Sequence, residues 1–222
     1  MLRSPRATLR TAIEESRYLD LAALIVTVSA GCSLAFLGTR VGRLAALDQQ
    51  VRQLESFGTV VTDQLYARVR AWEPYRPLVS GALIVVGWPL AWVIIAGVIR
   101  WIGQRAGALR QPTFAQVLTV VIHASAVLAL RSVVTAPIDY VRESIGGATS
   151  LGMLAPGLTD GTFVARLCGA IDLFLVWWVM LVSLGLGMLY QTRASAIARW
   201  LFGAYATGAA ALAMTQALRG GI

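Results

Sequence analysis

Five long runs without a charged residue divide the chain: Leu21–Gly38, Pro77–Ile99, Gln111–Leu130, Leu173–Thr192 and Trp200–Leu218. A helix needs roughly 17–25 apolar residues to cross a hydrocarbon core about 30 Å thick, and each run is close to that length. One or two such runs fit the buried helices of a soluble core, whereas five within 222 residues do not. The weakest is Gln111–Leu130, which carries His123 in its interior. The chain is 14% charged, where a soluble domain carries roughly 25%. The sequence therefore predicts an all-α polytopic membrane protein. Its five transmembrane helices are expected at about Leu19–Leu37, Val79–Ile99, Phe114–Val134, Val164–Leu189 and Ile197–Leu218.

A formal net charge of +8 raises a nucleic-acid reading that the charge placement excludes. The arginines form no single face or stripe; they sit between the apolar runs, where connections meet headgroups and water. All 19 basic residues are arginine, a compositional bias rather than a mechanism. Cys32 and Cys168 lie in or beside apolar segments and read as small buried hydrophobes, with no disulfide framework and no repeated Cys/His spacing.

Residues 1–18 read as a cytoplasmic amphipathic lead, with Ser4-Pro5 as a helix-start signal. Glu14, Glu15 and Asp20 ahead of the first run favour a retained anchor over a cleaved signal peptide. Residues 19–218 form the expected membrane domain. Within it, Arg40–Tyr75 is polar but periodic: Val41, Leu44, Leu47, Val51, Leu54, Val61, Leu65 and Trp72 recur at three- and four-residue steps. That pattern predicts one or two amphipathic helices in an extracytoplasmic loop, with Gly58 as the break. The third helix is expected to end before Pro137, and residues 138–163 to form a loop around a short apolar piece at Leu151–Leu154. Arg100, Arg105 and Arg110 mark one short loop, Arg193 and Arg199 another. Positive-inside bias puts both in the cytoplasm with the N-terminus, and five crossings put the C-terminus outside.

Asp172 is the most informative polar residue, because Ala170-Ile171-Asp172-Leu173-Phe174 lies inside an apolar stretch. A carboxylate there needs a partner, a wet cavity or protonation. Arg131, near the end of the third helix, is one candidate partner, and Arg166 a second. A structural ion pair, a transport or proton-relay role, and a contact at the interface all remain open. His123 is expected to pack and hydrogen-bond within the bundle. Small residues pair at Ser183/Gly187 and Ala204/Gly208, spacings that let helices approach closely within the bundle or between subunits. Trp72, Trp101 and Trp200 fall near expected membrane boundaries, where indoles anchor.

Phosphate-loop, dinucleotide, HExxH and GxSxG patterns are absent from the sequence. Ser183 with His123 is the one conceivable nucleophile–base pair, and nothing in the sequence orients it. Five helices without an inverted repeat or several membrane charges argue against a stand-alone transporter.

Several segments resemble the bacterial Yip1-domain family of integral membrane proteins. They are Ser4-Pro5-Arg6-Ala7-Thr8-Leu9, the stretch from Thr113-Phe114-Ala115-Gln116 to His123-Ala124-Ser125, Ile171-Asp172-Leu173-Phe174-Leu175-Val176-Trp177 and Gly185-Leu186-Gly187. The order of a first helix, a long partly helical loop and a second helix is similar too. The departure is that proline waits until Pro137, where members often place one earlier in the third helix. The resemblance implies no common catalytic reaction, and association with vesicle traffic or with export and other membrane complexes.

The expected function is that of a non-enzymatic scaffold or accessory subunit of a bacterial inner-membrane complex. Its expected partners are membrane lipids and other membrane subunits, with no nucleic acid and a homo-oligomer open. A transporter or export subunit is the alternative, and an intramembrane enzyme a distant third. The sequence assigns no metal, and leaves open a bound lipid, pigment or quinone.

Overall fold

A computed structural model of the chain describes residues 18–105, 111–154 and 163–219; the side chains of Leu154, Phe163, Arg166 and residues 216–219 are outside that description. The expected amphipathic lead at residues 1–18 lies almost entirely outside the described residues, as does Arg110.

The described residues are predominantly helical: α1 (Leu19–Gly38), α2 (Arg40–Ser56), α3 (Asp63–Ala71), a 3-10 turn (Glu73–Tyr75), α4 (Arg76–Arg105), α5 (Phe114–Val141), a second 3-10 turn (Leu151–Leu154), α6 (Phe163–Ala170), α7 (Leu173–Tyr190) and α8 (Ala194–Arg219). Among them no sheet forms; Ser150 and Asp172 make an isolated antiparallel bridge.

The number of crossings corrects the sequence reading. Among the described residues, four stretches are long and apolar enough to cross a membrane, not five: α1, Asp63–Arg105 containing α4, α5 and α7. The expected fifth, α8, is a continuous helix of 26 residues, yet it is built largely from Ala, Gly and Thr, with Arg199 in its second turn and Tyr205 at its centre. Freedom from charge set its length in the sequence reading, but small residues carry much less transfer energy than Leu, Ile or Val.

Local chemistry explains the helix ends. Thr39 separates α1 from α2: its hydroxyl donates to Phe36 O at 2.7 Å and accepts from Gly42 N at 3.0 Å. Gly42 is required there, because a β-carbon would collide with the Phe36 carbonyl. α2 ends at Ser56, and Gly58 just beyond it takes φ +76°, a conformation that glycine adopts without strain. Thr62 caps α3 through Leu65 N at 3.4 Å. α5 opens with a capping box, in which Gln116 N donates to Thr113 Oγ1 at 3.3 Å and Thr113 N to Gln116 Oε1 at 3.0 Å. It then runs through Pro137 to Val141, past the expected end. Proline removes one backbone donor from a helix, and here α5 continues despite that loss.

The chain divides into two compact units, Met1–Ser29, Ala82–Arg131 and Phe174–Ala204 in one, and Ala30–Gly81, Ser132–Leu173 and Tyr205–Ile222 in the other. In the first, α5 is the inner helix: Val117, Val120, Val121 and Ala124 are fully buried against Ile25 of α1, Trp92 and Ala96 of α4, and Val182 and Leu186 of α7. Gly185 allows this contact, since a β-carbon there would lie 2.5 Å from Val120 Cγ1. α4 by contrast turns Leu83, Val86, Leu90, Ile94 and Val98 outward, the surface a spanning helix offers to lipid tails. In the second unit, Ser33 and Ser80 hydroxyls hydrogen-bond at 2.8 Å between α1 and α4, beside Leu34 lying over Gly81.

Candidate functional site

The polar residues of the second unit converge where the expected fourth helix is interrupted. α6 ends at Ala170 and α7 begins at Leu173, so Asp172 is not inside a helix. It occupies the position immediately before α7, where a carboxylate complements the amide-rich, positive end of the helix. The backbone on both sides pairs with the 149–151 segment: Leu151 N donates to Ile171 O at 2.9 Å and Leu173 N to Thr149 O at 3.0 Å.

Side chains close the rest of the break. Thr149 Oγ1 donates to Asp172 Oδ2 at 2.6 Å, with both residues buried. Tyr205 of α8 bonds to both edges of the interruption, donating to Ala170 O at 3.0 Å and accepting from Asp172 N at 3.0 Å. Ser150 Oγ donates to Gly147 O at 3.0 Å, holding the turn that presents Thr149. Gly147 takes φ +76° there, and glycine tolerates that geometry where other residues strain. Gly152 approaches Gly169 so closely that a β-carbon on it would lie 3.4 Å from the Gly169 backbone. The arrangement acts as a lock: it supplies partners for backbone groups that a broken helix leaves open.

The other expected residues are distributed elsewhere. His123 is buried on α5, with Nδ1 2.9 Å from Thr119 O, a contact that requires the proton on Nδ1. Ser183 is buried on α7 and donates to Val179 O at 2.7 Å, a bond back into its own helix. Gly187 lies under Ala194 at the α7–α8 turn, where a β-carbon would sit 3.1 Å away. The Ser183/Gly187 pair is thus spent on packing inside the chain. Ala204 and Gly208 are both exposed. Arg131 is half-buried and belongs to the first unit, Asp172 to the second; their pairing stays a sequence expectation. The Arg166 side chain lies outside the described residues.

Three residues that the sequence reading did not single out matter more. Ser125 Oγ accepts from Trp92 Nε1 at 3.0 Å and from Trp178 Nε1 at 3.1 Å, and donates to Val121 O at 2.8 Å. One hydroxyl therefore ties α4, α5 and α7. Tyr205 was legible in principle, because a phenol among small residues needs a polar partner once buried. Asp139 was assigned to a loop; with α5 extended past Pro137, it becomes a buried carboxylate. Among the described residues, no group of three or more His, Cys, Asp and Glu side chains is placed to hold a metal ion.

No family model, no curated protein and no solved structure matches the chain. The resemblance to the Yip1-domain family therefore rests on the quoted segments alone. What the fold itself establishes is a helical, multi-pass membrane architecture.

Proposed function

We propose that the protein is a non-enzymatic accessory or scaffold subunit of a bacterial inner-membrane complex, docking through the outer face of α8. The observation that carries this reading is the row Gly203, Ala204, Ala206, Thr207 and Gly208, all exposed on one long helix. Exposed Gly, Ala and Thr leave room for the backbone of another helix to approach closely. The polar groups support the same reading. His123 and Ser183 are each bonded within their own helix, and Asp172 is held by Thr149, so the buried groups serve packing and helix continuity. Membership of the Yip1-domain family belongs to the same proposal, as does an N-terminus in the cytoplasm. The loops marked by Arg105 and by Arg193 fall on one side whether four or five helices cross. An outer C-terminus followed from five crossings and does not follow from four.

The test is gentle-detergent purification of the endogenous complex followed by mass spectrometry, with wild type beside Gly208→Leu. A stoichiometric membrane partner lost in the variant is the expected result. Recovery of only this chain from both preparations, repeated in native-lipid discs, overturns the accessory reading and directs attention to transport.

A further inference from the structure

α3, the 3-10 turn and the first turn of α4 follow one another directly, and this junction, the elbow, carries both arginine and aromatic side chains. Trp72 is 62% exposed and Tyr75 58%, and their rings meet edge to face with centroids 6.2 Å apart. Leu78 and Val79 continue this exposed surface down α4. Arg68 and Arg70, in the last turn of α3, are exposed as well.

The charges of the elbow do not cancel. Arg43 Nε lies 3.5 Å from Glu73 Oε1, and that pair occupies the one carboxylate of the turn. Arg76 spends its fork on carbonyls instead, Nη1 donating to Ala46 O at 3.2 Å and Nη2 to Val69 O at 3.3 Å. Glu73 is thus engaged by Arg43 and lies within electrostatic reach of Arg76, while Arg68 and Arg70 add two exposed cations in the last turn of α3. The acidic residue of α3, Asp63, stands in its first turn, at the end away from α4.

The depth of the elbow follows from α4. The far end of that helix carries Trp101, 54% exposed, with the Arg105 guanidinium 4.4 Å from its ring centroid. From Tyr75 to Trp101 the chain rises roughly 39 Å at 1.5 Å per residue, close to the 40–45 Å of a bilayer with its headgroups. The two aromatic ends of α4 therefore match the two headgroup layers, and indole and phenol rings favour that depth. Excess arginine at that depth meets phosphodiesters, with apolar side chains below it for the acyl chains.

We propose that this elbow is a binding surface for the headgroup of an anionic phospholipid, with Arg68 and Arg70 as the phosphate-facing cations and Trp72 and Tyr75 as the interfacial platform. The proposal rests on membrane insertion of α4 and not on a partner at α8. Phosphatidylglycerol, a phosphodiester between two glycerols with one net negative charge, is such a lipid, and its salt-dependent attraction distinguishes it from a neutral lipid held by apolar contact alone.

The experiment is native mass spectrometry of the full-length, delipidated protein titrated with phosphatidylglycerol or phosphatidylcholine. Wild type is compared with the double variant Arg68→Gln/Arg70→Gln and with Arg193→Gln/Arg199→Gln as a charge-matched control. Wild type is expected to prefer phosphatidylglycerol. The elbow variant is expected to lose roughly 30-fold in affinity, about fivefold per arginine, with phosphatidylcholine binding and the control variant unchanged. Raising salt on wild type must weaken the preference, a readout that stands even where the variant folds poorly. Equal binding of both lipids by wild type, an equal loss in the control, salt-independent binding, or a tightly bound protein covering Arg68 and Arg70 each overturns the proposal.

Discussion

The amide of Asp172 donates to the hydroxyl of Tyr205 at 3.0 Å, and the same hydroxyl donates to Ala170 O, also at 3.0 Å. One phenol thus bridges the gap between two helices that the backbone alone leaves open. Tyr205→Phe keeps the ring and deletes both bonds, and is expected to cost about 1–3 kcal/mol in reversible unfolding from mixed micelles. Amide exchange at Asp172 is expected to accelerate more than exchange in the middle of α7. Unchanged exchange at Asp172 would show that the break does not depend on Tyr205.

Thr149 supplies the matching bond to the side chain, at 2.6 Å from Oγ1 to Asp172 Oδ2. Thr149→Val keeps shape and removes the donor from a buried carboxylate; a loss of about 1–3 kcal/mol is expected. Thr149→Ser retains the hydroxyl and is expected to recover most of that loss. A stable Thr149→Val beside a destabilised Thr149→Ser would assign the role of Thr149 to its methyl group.

Ser125 serves two indoles at once, Trp92 and Trp178. Interhelical hydrogen bonds within membranes average about 0.6 kcal/mol, with a maximum near 1.7. Ser125→Ala removes two of them, so a loss of roughly 1–3 kcal/mol is expected, together with a shift in tryptophan emission. Ser125→Thr keeps the oxygen in a tightly packed position and separates the polar effect from the steric one. A stable Ser125→Ala with unchanged emission contradicts the hub assignment.

What the sequence showed and what it hid have physical causes. Apolar length alone located α1, α4, α5 and α7, because the bilayer demands that length whatever the packing. The polar residues of Gln111–Leu130 made that run look weakest, yet α5 is the most deeply packed of these four helices. An inner helix can carry polar side chains, because Thr119 and His123 bond back into α5 itself and Ser125 takes indole donors from α4 and α7, whereas α4 faces outward and must be apolar around most of its surface. The Thr113/Gln116 capping box has a fixed local spacing, yet the sequence reading did not single it out. The break at Ile171–Asp172 was not readable, since its partners Thr149 and Tyr205 lie 23 and 33 residues away from Asp172. No local periodicity carries that information. Hydropathy similarly failed at α8, where freedom from charge was read as the capacity to span.

Gly185 gives the most direct test of how α5 and α7 pack. A β-carbon at this position would stand 2.5 Å from Val120 Cγ1, 3.1 Å from Cγ2 and 3.4 Å from Cβ, and the β-branched Val120 has little rotamer freedom within a helix. Gly185→Ala gains about 1 kcal/mol of helix propensity against an overpacking cost of about 1–3 kcal/mol, so a net loss of stability is expected. Val120→Ala alone is destabilising too, because it empties space in a fully buried part of the core. Combined, the substitutions relieve each other: the new methyl at 185 enters the volume vacated at 120. The double variant is therefore expected to be more stable than the sum of the single losses predicts, by about 1 kcal/mol or more. Simple additivity, measured in the same micelle system, would place Gly185 away from Val120 and overturn the α5–α7 contact on which the first unit is built.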